Sequence, residues 1–447
     1  MNVKIYAQLL FILLFGCTSI SEKMGLAEVQ EFIRKGSGQA VPMTGVLSQE
    51  MTEKIDSLLL GQLTVDAAVK VALLNNPIIQ VIYYDLEIAY ADVIQAGILG
   101  NPTLSAFVLN SQEDTGKHTE ISIEQNVLDL LLLPLKKKLA RAEYQQVKLQ
   151  VGHAVLEIIK DTKTAFYVLQ ANRHMMTLQK DVLKAAEAAA ELAERQYKAG
   201  NINTLDLASH QVALHDAQLK WMENEAELFS NRENLRKLLG LTGASQKLNI
   251  EADLSTLPSS DPDLSEVIQT ALAQRLDLAV AQQELVILKK ALFLARTEAV
   301  LDISGSVVKE STPDEDAHVG PGIELDIPLF DRGQAQVARL KAQLSQSEKQ
   351  IEVLKQEIRS EIRIIHNQID TKRKAVEYYR DIIIPVHEDV VQASQKEYNF
   401  MLLGAYTLLE VKQDEINARR NYILTLRDYW ILRTDLEHAG GVELSNK

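Results

Sequence analysis

Carboxylates alternate with apolar side chains in two segments that lie close together in the chain. Asp302 has this setting in the first segment, and Glu324 and Asp326 have it in the second. Successive side chains of a β-strand point to opposite faces, so a period of two predicts a hairpin with one acidic and one apolar face. Glu120 and Glu124 repeat the pattern in an earlier hairpin. Carboxylates gathered on one wet face attract cations and repel anions.

A second group of acids follows two glycines near the ends of predicted helices. Asp206 lies six residues after Gly200, and Glu410 lies six residues after Gly404. Asp414 is four residues beyond Glu410, which places both on one face of a helix. If symmetry repeats these carboxylates around a narrow opening, they raise one another's pKa and favour cations. The alternative is an ordinary solvated acidic face.

Motifs of nucleotide and zinc enzymes are absent from the sequence. It has no G-x-x-x-x-G-K-[ST], no G-x-G-x-x-G and no H-E-x-x-H segment. His210 and His215 are five residues apart and share a helix face poorly. The run His174-Met175-Met176 could suit a soft metal, but we interpret it as a segment of a long helix. We therefore expect no enzyme activity, no metal site and no bound cofactor.

Each predicted strand is about ten residues long, which suits a tilted strand that crosses a bilayer. A lone hairpin cannot bury its apolar face in water, whereas a closed barrel places that face against lipid and encloses the acidic one. Ile303, Ile323 and Ile327 would then contact lipid. The alternative is an ordinary two-stranded appendage on a helical protein.

The chain contains two similar halves. At an offset of 199 residues, Leu73 aligns with Leu272 and Ala96 aligns with Ala295 without a gap. The second strands align at an offset of 202, and the glycine turns align at 204. Each half therefore reads helix, strand, loop, strand, very long helix, glycine turn and helix. A duplicated hairpin favours the barrel over the appendage.

Long helices account for most of the remaining chain. The run from Leu135 to Ala199 has no proline, and at 1.5 Å per residue it makes roughly 100 Å of helix. Helices of this length need coiled-coil or tunnel-wall packing. The first helix is predicted to run from Thr64 or Asp66 to about Leu99 despite Pro77. A helix over Gln334–Leu403 is expected to kink near Ile384, because Pro385 follows. The remaining predicted helices are Asn203–Leu239 and Thr407–His438.

Composition and charge narrow the possible partners. The 447 residues include only 20 Gly and 10 Pro, which favours long helices. A formal charge of −14 argues against nucleic acid and against an anionic lipid surface as partner. No apolar run reaches about 18 residues, so no transmembrane helix is predicted.

The amino-terminal residues predict a secretory signal. Residues 1–16 carry one Lys and an apolar core from Ile5 to Phe15. The sequence Leu-Phe-Gly-Cys that ends at Cys17 resembles a bacterial lipobox, which implies cleavage before Cys17 and lipid attachment to it. Thr18 in the next position implies release to the outer membrane by the same resemblance. The alternative is a signal peptide with an incidental cysteine. Because the chain has only this cysteine, it forms no internal disulfide.

The order of elements, the duplication and several local segments together resemble the TolC family of outer-membrane efflux proteins. One departure is Leu276, where the family usually has proline. The resemblance covers roughly Leu63 to Gly440, and the segments that carry it are Asn76-Pro77, Arg275–Leu278, Ile327–Gly333, Thr164–Leu169, Tyr197–Gly200 and Tyr398–Trp430.

The resemblance implies a mainly α-helical homotrimer with a small β part. Each subunit would give four strands to a shared barrel of twelve, continued by a periplasmic α-helical barrel. The domain boundaries implied are a signal at 1–16, a lipid-anchored tether at 17–62, repeats at 63–240 and 264–440 with hairpins at 103–127 and 300–327, a connection at 241–263 and a tail at 441–447.

The same resemblance assigns roles to the acids and turns. The turns at Gly200 and Gly404 would form the periplasmic end that meets an adaptor protein, and Asp206, Glu410 and Asp414 would be the gate acids there. The strand acids Glu120, Glu124, Asp302, Glu324 and Asp326 would line the lumen. The function implied is a passive exit duct through the outer membrane for an inner-membrane pump of the resistance–nodulation–division or ABC type, with heavy-metal cations as cargo. The alternatives are the exit of a type I protein secretion system and a lipid-anchored coiled-coil scaffold without a pore.

Overall fold

The computed structural model describes residues 25–39, 49–110, 117–242, 248–299, 302–312 and 316–444. The predicted signal segment and Cys17 lie outside the described residues. Contacts divide the chain into two compact units, and each unit draws residues from both halves of the chain. Within the described residues, the sheet unit comprises 25–28, 84–148 and 283–345, and the helical unit comprises 29–83, 149–282 and 346–444.

The two halves follow the same order of elements. The first half contains α1 (Leu26–Ser37), α2 (Gln49–Leu60), α3 (Val65–Asn75), α4 (Pro77–Gln95), β1 (Thr103–Asn110), β2 (Lys117–Asn126), α5 (Val127–Lys198) and α6 (Thr204–Leu238). The second half contains α7 (Leu264–Gln274), α8 (Leu276–Glu298), β3 (Asp302–Ser311), β4 (His318–Asp326), α9 (Gln334–Tyr378), a π-helical turn (Tyr379–Ile383), α10 (Ile384–Asn399) and α11 (Ala405–Gly440). No single helix in the described part is long and apolar enough to span a membrane, although α3 and α4 pass that test as a pair bent by 49°.

The helix expected from Thr64 to Leu99 is broken, and the expectation of continuity through Pro77 was wrong. Thr64 caps α3 by accepting a hydrogen bond from Ala67 N at 3.2 Å. The chain then leaves helical geometry at Asn76, with φ −70° and ψ 118°, because proline disfavours helical geometry in the residue before it. The buried Asn76 side chain accepts from Ile78 N at 2.8 Å and donates to the Leu238 carbonyl at 2.9 Å, so it starts α4 and ties the break to α6.

The second half keeps the same break without a proline. Arg275 adopts φ −60° and ψ 126° between α7 and α8. Its guanidinium holds Asp277 at 2.8 Å and Glu361 at 2.6 Å, and Asp277 accepts from Leu278 N at 2.8 Å at the start of α8. Side-chain hydrogen bonds therefore maintain the helix break that proline produces in the first half. The helix is interrupted before Leu276 even though this position is not proline.

The long helices begin and bend where side chains allow it. Helix α5 has 72 residues and starts at Val127, earlier than the expected Leu135, because Asn126 Oδ1 accepts from Asp129 N at 2.8 Å and Pro134 is accommodated inside the helix. Further along the chain, the π-helical turn lies directly before Ile384, where the sequence predicts a kink, and π-helical turns are one cause of kinks.

The four strands form one antiparallel sheet in the order β1-β2-β3-β4. Consecutive strands pair, so the two hairpins meet along β2 and β3. β1 and β4 are the outer strands, and each pairs with one neighbour within the described part of the chain. Their outer edges therefore carry backbone groups available to another chain.

Candidate functional site

Strand register fixes which side chains share a face of the sheet, since residues paired directly across an antiparallel ladder point the same way. We call one side the apolar face and the other the acidic face. On the apolar face Leu104 pairs with Ile123, Ile123 pairs with Val307, and Ile303 pairs with Leu325. Ile323 lies in the middle of this face on β4, opposite Gly305.

The described part of the chain leaves the apolar face exposed. Ile323 is 77% exposed, Leu104 is 69% exposed and Val319 is 66% exposed. Burial of such a side chain is worth about 1.5–3 kcal/mol, so a face of this size in water would be strongly unfavourable. The sheet therefore needs an apolar medium or a partner on this side.

The predicted strand acids Glu120, Glu124, Glu324 and Asp326 lie on the acidic face, and Asp302 occupies a register position of the same face. Register sets Glu124 opposite Ser306, Glu324 opposite Ser304, and Asp302 opposite Asp326. Glu120 stands opposite a further acid, Glu310. Phe107, Leu109 and Val308 also lie on this side, but among the described strand residues none on it is Lys or Arg. Within the described strands, the carboxylates of this face therefore have no Lys or Arg beside them on the same side of the sheet.

In the two helix-to-helix turns of the helical unit, equivalent backbone positions differ in residue number by a value other than the one that the sequence suggested. Gly200 adopts φ +73°, and the residue in the same position of the second turn is Met401 at φ +58°. Asn203 caps α6 through its side chain, and Gly404 occupies the matching cap position of α11 without a side-chain bond. The offset is 201 rather than 204, so the pairing of Gly200 with Gly404 was wrong. The glycine pattern misled because the second turn places a methionine in the left-handed region.

Replacement of Met401 by glycine is expected to stabilise the folded protein by about 1 kcal/mol, because glycine adopts positive φ without the strain of a Cβ atom. Thermal melting of helical circular dichroism in detergent measures the effect. Gly200→Ala at the equivalent position should cost a similar amount, although open space surrounds that glycine. A destabilising Met401→Gly substitution would show that the Met401 side chain makes a compensating contact.

The three predicted gate acids are all exposed near these turns, on α6 and α11. Asp206 lies beside Tyr406, whose pKa is raised by burial and by this carboxylate. Tyr406 donates to Gln196 Oε1 at 2.9 Å and stacks on His210 at 3.9 Å between ring centroids, which joins α5, α6 and α11. Glu410 lines a cavity of about 490 Å³ between these helices.

Asp414 directly precedes a buried acid on α11. Glu415, the next residue, is buried and paired with Lys412 and Arg419, which hold its pKa below the usual value against the opposing effect of burial. Asp414 itself stays exposed. The region therefore offers three solvated carboxylates in addition to a buried, neutralised one.

Sequence reasoning missed a buried ionic cluster in the helical unit. Asp261 accepts from Arg373 Nε at 2.6 Å and from the Tyr429 hydroxyl at 2.6 Å, and it lies 3.3 Å from Arg433. Burial pushes the pKa of Asp261 up, but the bonds from Arg373 and Tyr429 outweigh this and hold it below the usual value. Trp430 Nε1 also donates to the Ser255 carbonyl at 2.8 Å, so the irregular connection between the repeats is fastened to α9 and α11.

A half-buried histidine, His438, lines a second cavity of the helical unit, of about 230 Å³. Burial lowers the pKa of His438 to about 4, and the charges of Lys160, His153 and Arg275 act in the same direction while Asp277 opposes them. The His153 and His438 rings are 5.8 Å apart.

Because of His438, stability should fall as the pH drops from about 6.5 to about 4, since only the unfolded chain binds a proton at this ring in that window. His438→Gln is expected to remove up to about 3 kcal/mol of this pH dependence. Denaturation midpoints at several pH values measure it, with the exposed His215→Gln as the matched control. Equal pH profiles for wild type and His438→Gln would contradict the expectation.

The exposed apolar face, the acidic face and the long helices are the features that a subunit of an outer-membrane channel requires. Known proteins of this kind are similar to the chain. The model of the outer membrane efflux protein family matches residues 68–241. The cobalt-zinc-cadmium resistance protein CzcC of Cupriavidus metallidurans is 21% identical over 390 residues, which cover 85% of this chain and 90% of that protein.

Solved structures of outer-membrane channels share the fold. A structure of CusC superimposes with a TM-score of 0.69 at 15% identity, covering 85% of this chain and 92% of the other. The CmeC outer membrane channel of Campylobacter jejuni superimposes with a TM-score of 0.66 at 15% identity, covering 91% and 90%. These matches agree with the resemblance to outer-membrane efflux proteins seen in the sequence, and the solved channels share the fold of this chain.

Proposed function

We propose that three copies of this chain form the exit duct of a tripartite efflux system that exports divalent heavy-metal cations. The observation that supports cations as the cargo is the composition of the acidic face. This face holds the predicted lumen acids and has no Lys or Arg in the described strands. The name of the relative CzcC, a cobalt-zinc-cadmium resistance protein, points to the same cargo.

The oligomer follows from the two outer strands. A sheet of four strands cannot close on itself, and open edges in lipid leave backbone groups without hydrogen bonds at several kcal/mol each. Pairing of β1 from one copy with β4 of the next removes both edges. With the apolar face toward lipid, the acidic face lines the enclosed water.

The carboxylates act on the cargo through their field. A lumen with fixed negative charge and no fixed positive charge concentrates cations and excludes anions, and narrow passages strengthen the effect. Asp206, Glu410 and Asp414 would supply the same selectivity at the periplasmic end. The turns at Gly200 and Gly404 would meet a periplasmic adaptor protein, and lipid on Cys17 would anchor the chain to the outer membrane.

The duct would be passive. The sequence has no phosphate-binding loop, so the energy would come from an inner-membrane pump of the resistance–nodulation–division or ABC type reached through the adaptor. The similarity of residues 68–241 to a family of channels argues against the scaffold without a pore.

Deletion of the gene tests the cargo. The deletion strain is expected to become sensitive to Co²⁺, Zn²⁺ and Cd²⁺, and the wild-type gene should restore growth. The triple variant Asp206→Asn, Glu410→Gln and Asp414→Asn should restore it only in part, whereas Asp216→Asn, another exposed acid on α6, should restore it fully. Normal metal tolerance together with loss of a secreted protein would instead assign the chain to type I secretion.

A further inference from the structure

Two histidines and two glutamates meet at one end of the acidic face, beside the two hairpin connections. Glu310 on β3 pairs directly with Glu120 on β2 and with His318 on β4. His118 Nε2 reaches Glu310 Oε1 at 3.4 Å from a diagonal position on β2. Glu310 is thus surrounded by three other side chains that can bind a metal.

The charge at this position is unbalanced. Glutamates directly opposite each other in a sheet repel and destabilise the pairing. Lys117 and Lys309, the nearest basic residues of these strands, alternate with the cluster and therefore belong to the apolar face. The local fold keeps two carboxylates adjacent, with neither Lys nor Arg on their own face among the described strand residues, so a cation from solution would relieve the repulsion.

We propose that His118, Glu120, Glu310 and His318 form a binding site for a divalent transition-metal cation such as Zn²⁺ or Co²⁺. The chemical types of these ligands determine which cations fit the site. Imidazole and carboxylate together suit Zn²⁺, Co²⁺ and Ni²⁺, whereas Mg²⁺ and Ca²⁺ prefer oxygen ligands alone. The remaining acids of the sheet bring no histidine with them and would attract any cation alike.

The site assembles when the metal arrives. Among the described residues no three His, Asp or Glu side chains already stand in metal-binding geometry. Directly opposite residues have Cβ atoms about 4.5–5.5 Å apart, which lets two such side chains share an ion at bond lengths of about 2.0–2.2 Å after rotation. The side chains of His118 and Glu310 are 30% and 54% exposed, so both have room to rotate. Ordering them costs entropy, which favours reversible binding over permanent retention.

This site goes beyond the duct proposed above. A channel can pass cations without holding them, so failure of the site would leave the efflux function intact. Conversely, metal binding by the purified protein would support the site even if the deletion strain tolerated metals.

Titration of the full-length protein in detergent with Co²⁺ alone tests the proposal, because visible absorption reports imidazole coordination. Wild type is expected to give a saturable spectrum that Zn²⁺ abolishes by competition and that equal Mg²⁺ leaves unchanged. The double variant His118→Asn with His318→Asn should bind Co²⁺ at least about tenfold more weakly, the smallest loss typical when a metal site is damaged. The matched control Glu324→Gln with Asp326→Asn, on the same face but away from the cluster, should keep the wild-type spectrum.

Two outcomes would overturn the proposal. One is equal loss of Co²⁺ binding in the histidine variant and in the control, which would assign binding to the general charge of the acidic face. The other is a wild-type titration without a saturable imidazole spectrum while size-exclusion chromatography shows the assembled protein.

Discussion

Ile323→Arg is expected to abolish assembly of the protein in the outer membrane. Ile323 lies in the middle of β4 on the apolar face and is 77% exposed in the isolated chain. An arginine on the lipid face near the bilayer midplane costs about 2–4 kcal/mol per copy, and the cost is paid by every subunit of the oligomer. Outer-membrane fractionation and the amount of oligomer on unheated gels measure the effect.

Glu324→Arg provides the matched control, because it places the same side chain one residue further along the same strand but on the acidic face. It should assemble normally, since that face meets water, and should weaken cation preference. Equal assembly of the two variants, or failure of Glu324→Arg alone, would mean that the assignment of the two faces is reversed or that no barrel forms.

Asp261→Ala is expected to destabilise the helical unit by roughly 3–5 kcal/mol. The substitution leaves Arg373 and the nearly inaccessible Arg433 without their shared carboxylate, and Tyr429 loses the acceptor for its hydroxyl proton. Removing one member of a buried ionic cluster is far more costly than losing an exposed ion pair. Equilibrium denaturation in detergent, followed by helical circular dichroism, gives the free energy of unfolding.

The exposed pair of Arg380 and Asp381 supplies the comparison. Asp381→Ala removes an ion pair of 2.7 Å whose two side chains are 50% and 56% exposed, and it should leave the free energy of unfolding nearly unchanged, because solvent screens such a pair. If Asp261→Ala costs no more than Asp381→Ala, the cluster does not fasten the connection between the repeats.

The strands were predictable because a pleated strand fixes side-chain direction residue by residue. The sequence placed β1 at its observed bounds, and the alternation put Glu120, Glu124, Glu324 and Asp326 on one face, as the register has them. Duplication added the order of the elements, since a pattern seen weakly in one half could be checked in the other.

The breaks and turns resisted prediction where tertiary contacts replace the usual local residues. The break at Asn76 carries the proline that signals it, but the one at Arg275 depends on Glu361, which lies 86 positions away in the chain. Met401 takes a backbone conformation in which sequence reasoning expects glycine. No local sequence pattern reveals that a break can form without proline or that a methionine can occupy the left-handed position of a turn.

The candidate sites also differ in whether local sequence is enough to predict them. Acids in an alternating strand can be found from the strand alone. The cluster around Glu310 was missed because it depends on the pairing of β2 with β3, which joins the two halves of the chain. Continuing the alternation to His118 and His318, at the beginnings of β2 and β4, was the available signal.

Ion permeability of the purified protein in planar bilayers tests most directly whether copies of this chain enclose a pore lined by carboxylates. Wild type is expected to conduct and to pass cations in preference to anions. The combined variant Glu120→Gln, Glu124→Gln and Glu324→Gln should conduct with a reduced preference. A protein that reaches the bilayer without conducting, or a cation preference untouched by the combined variant, would contradict the account.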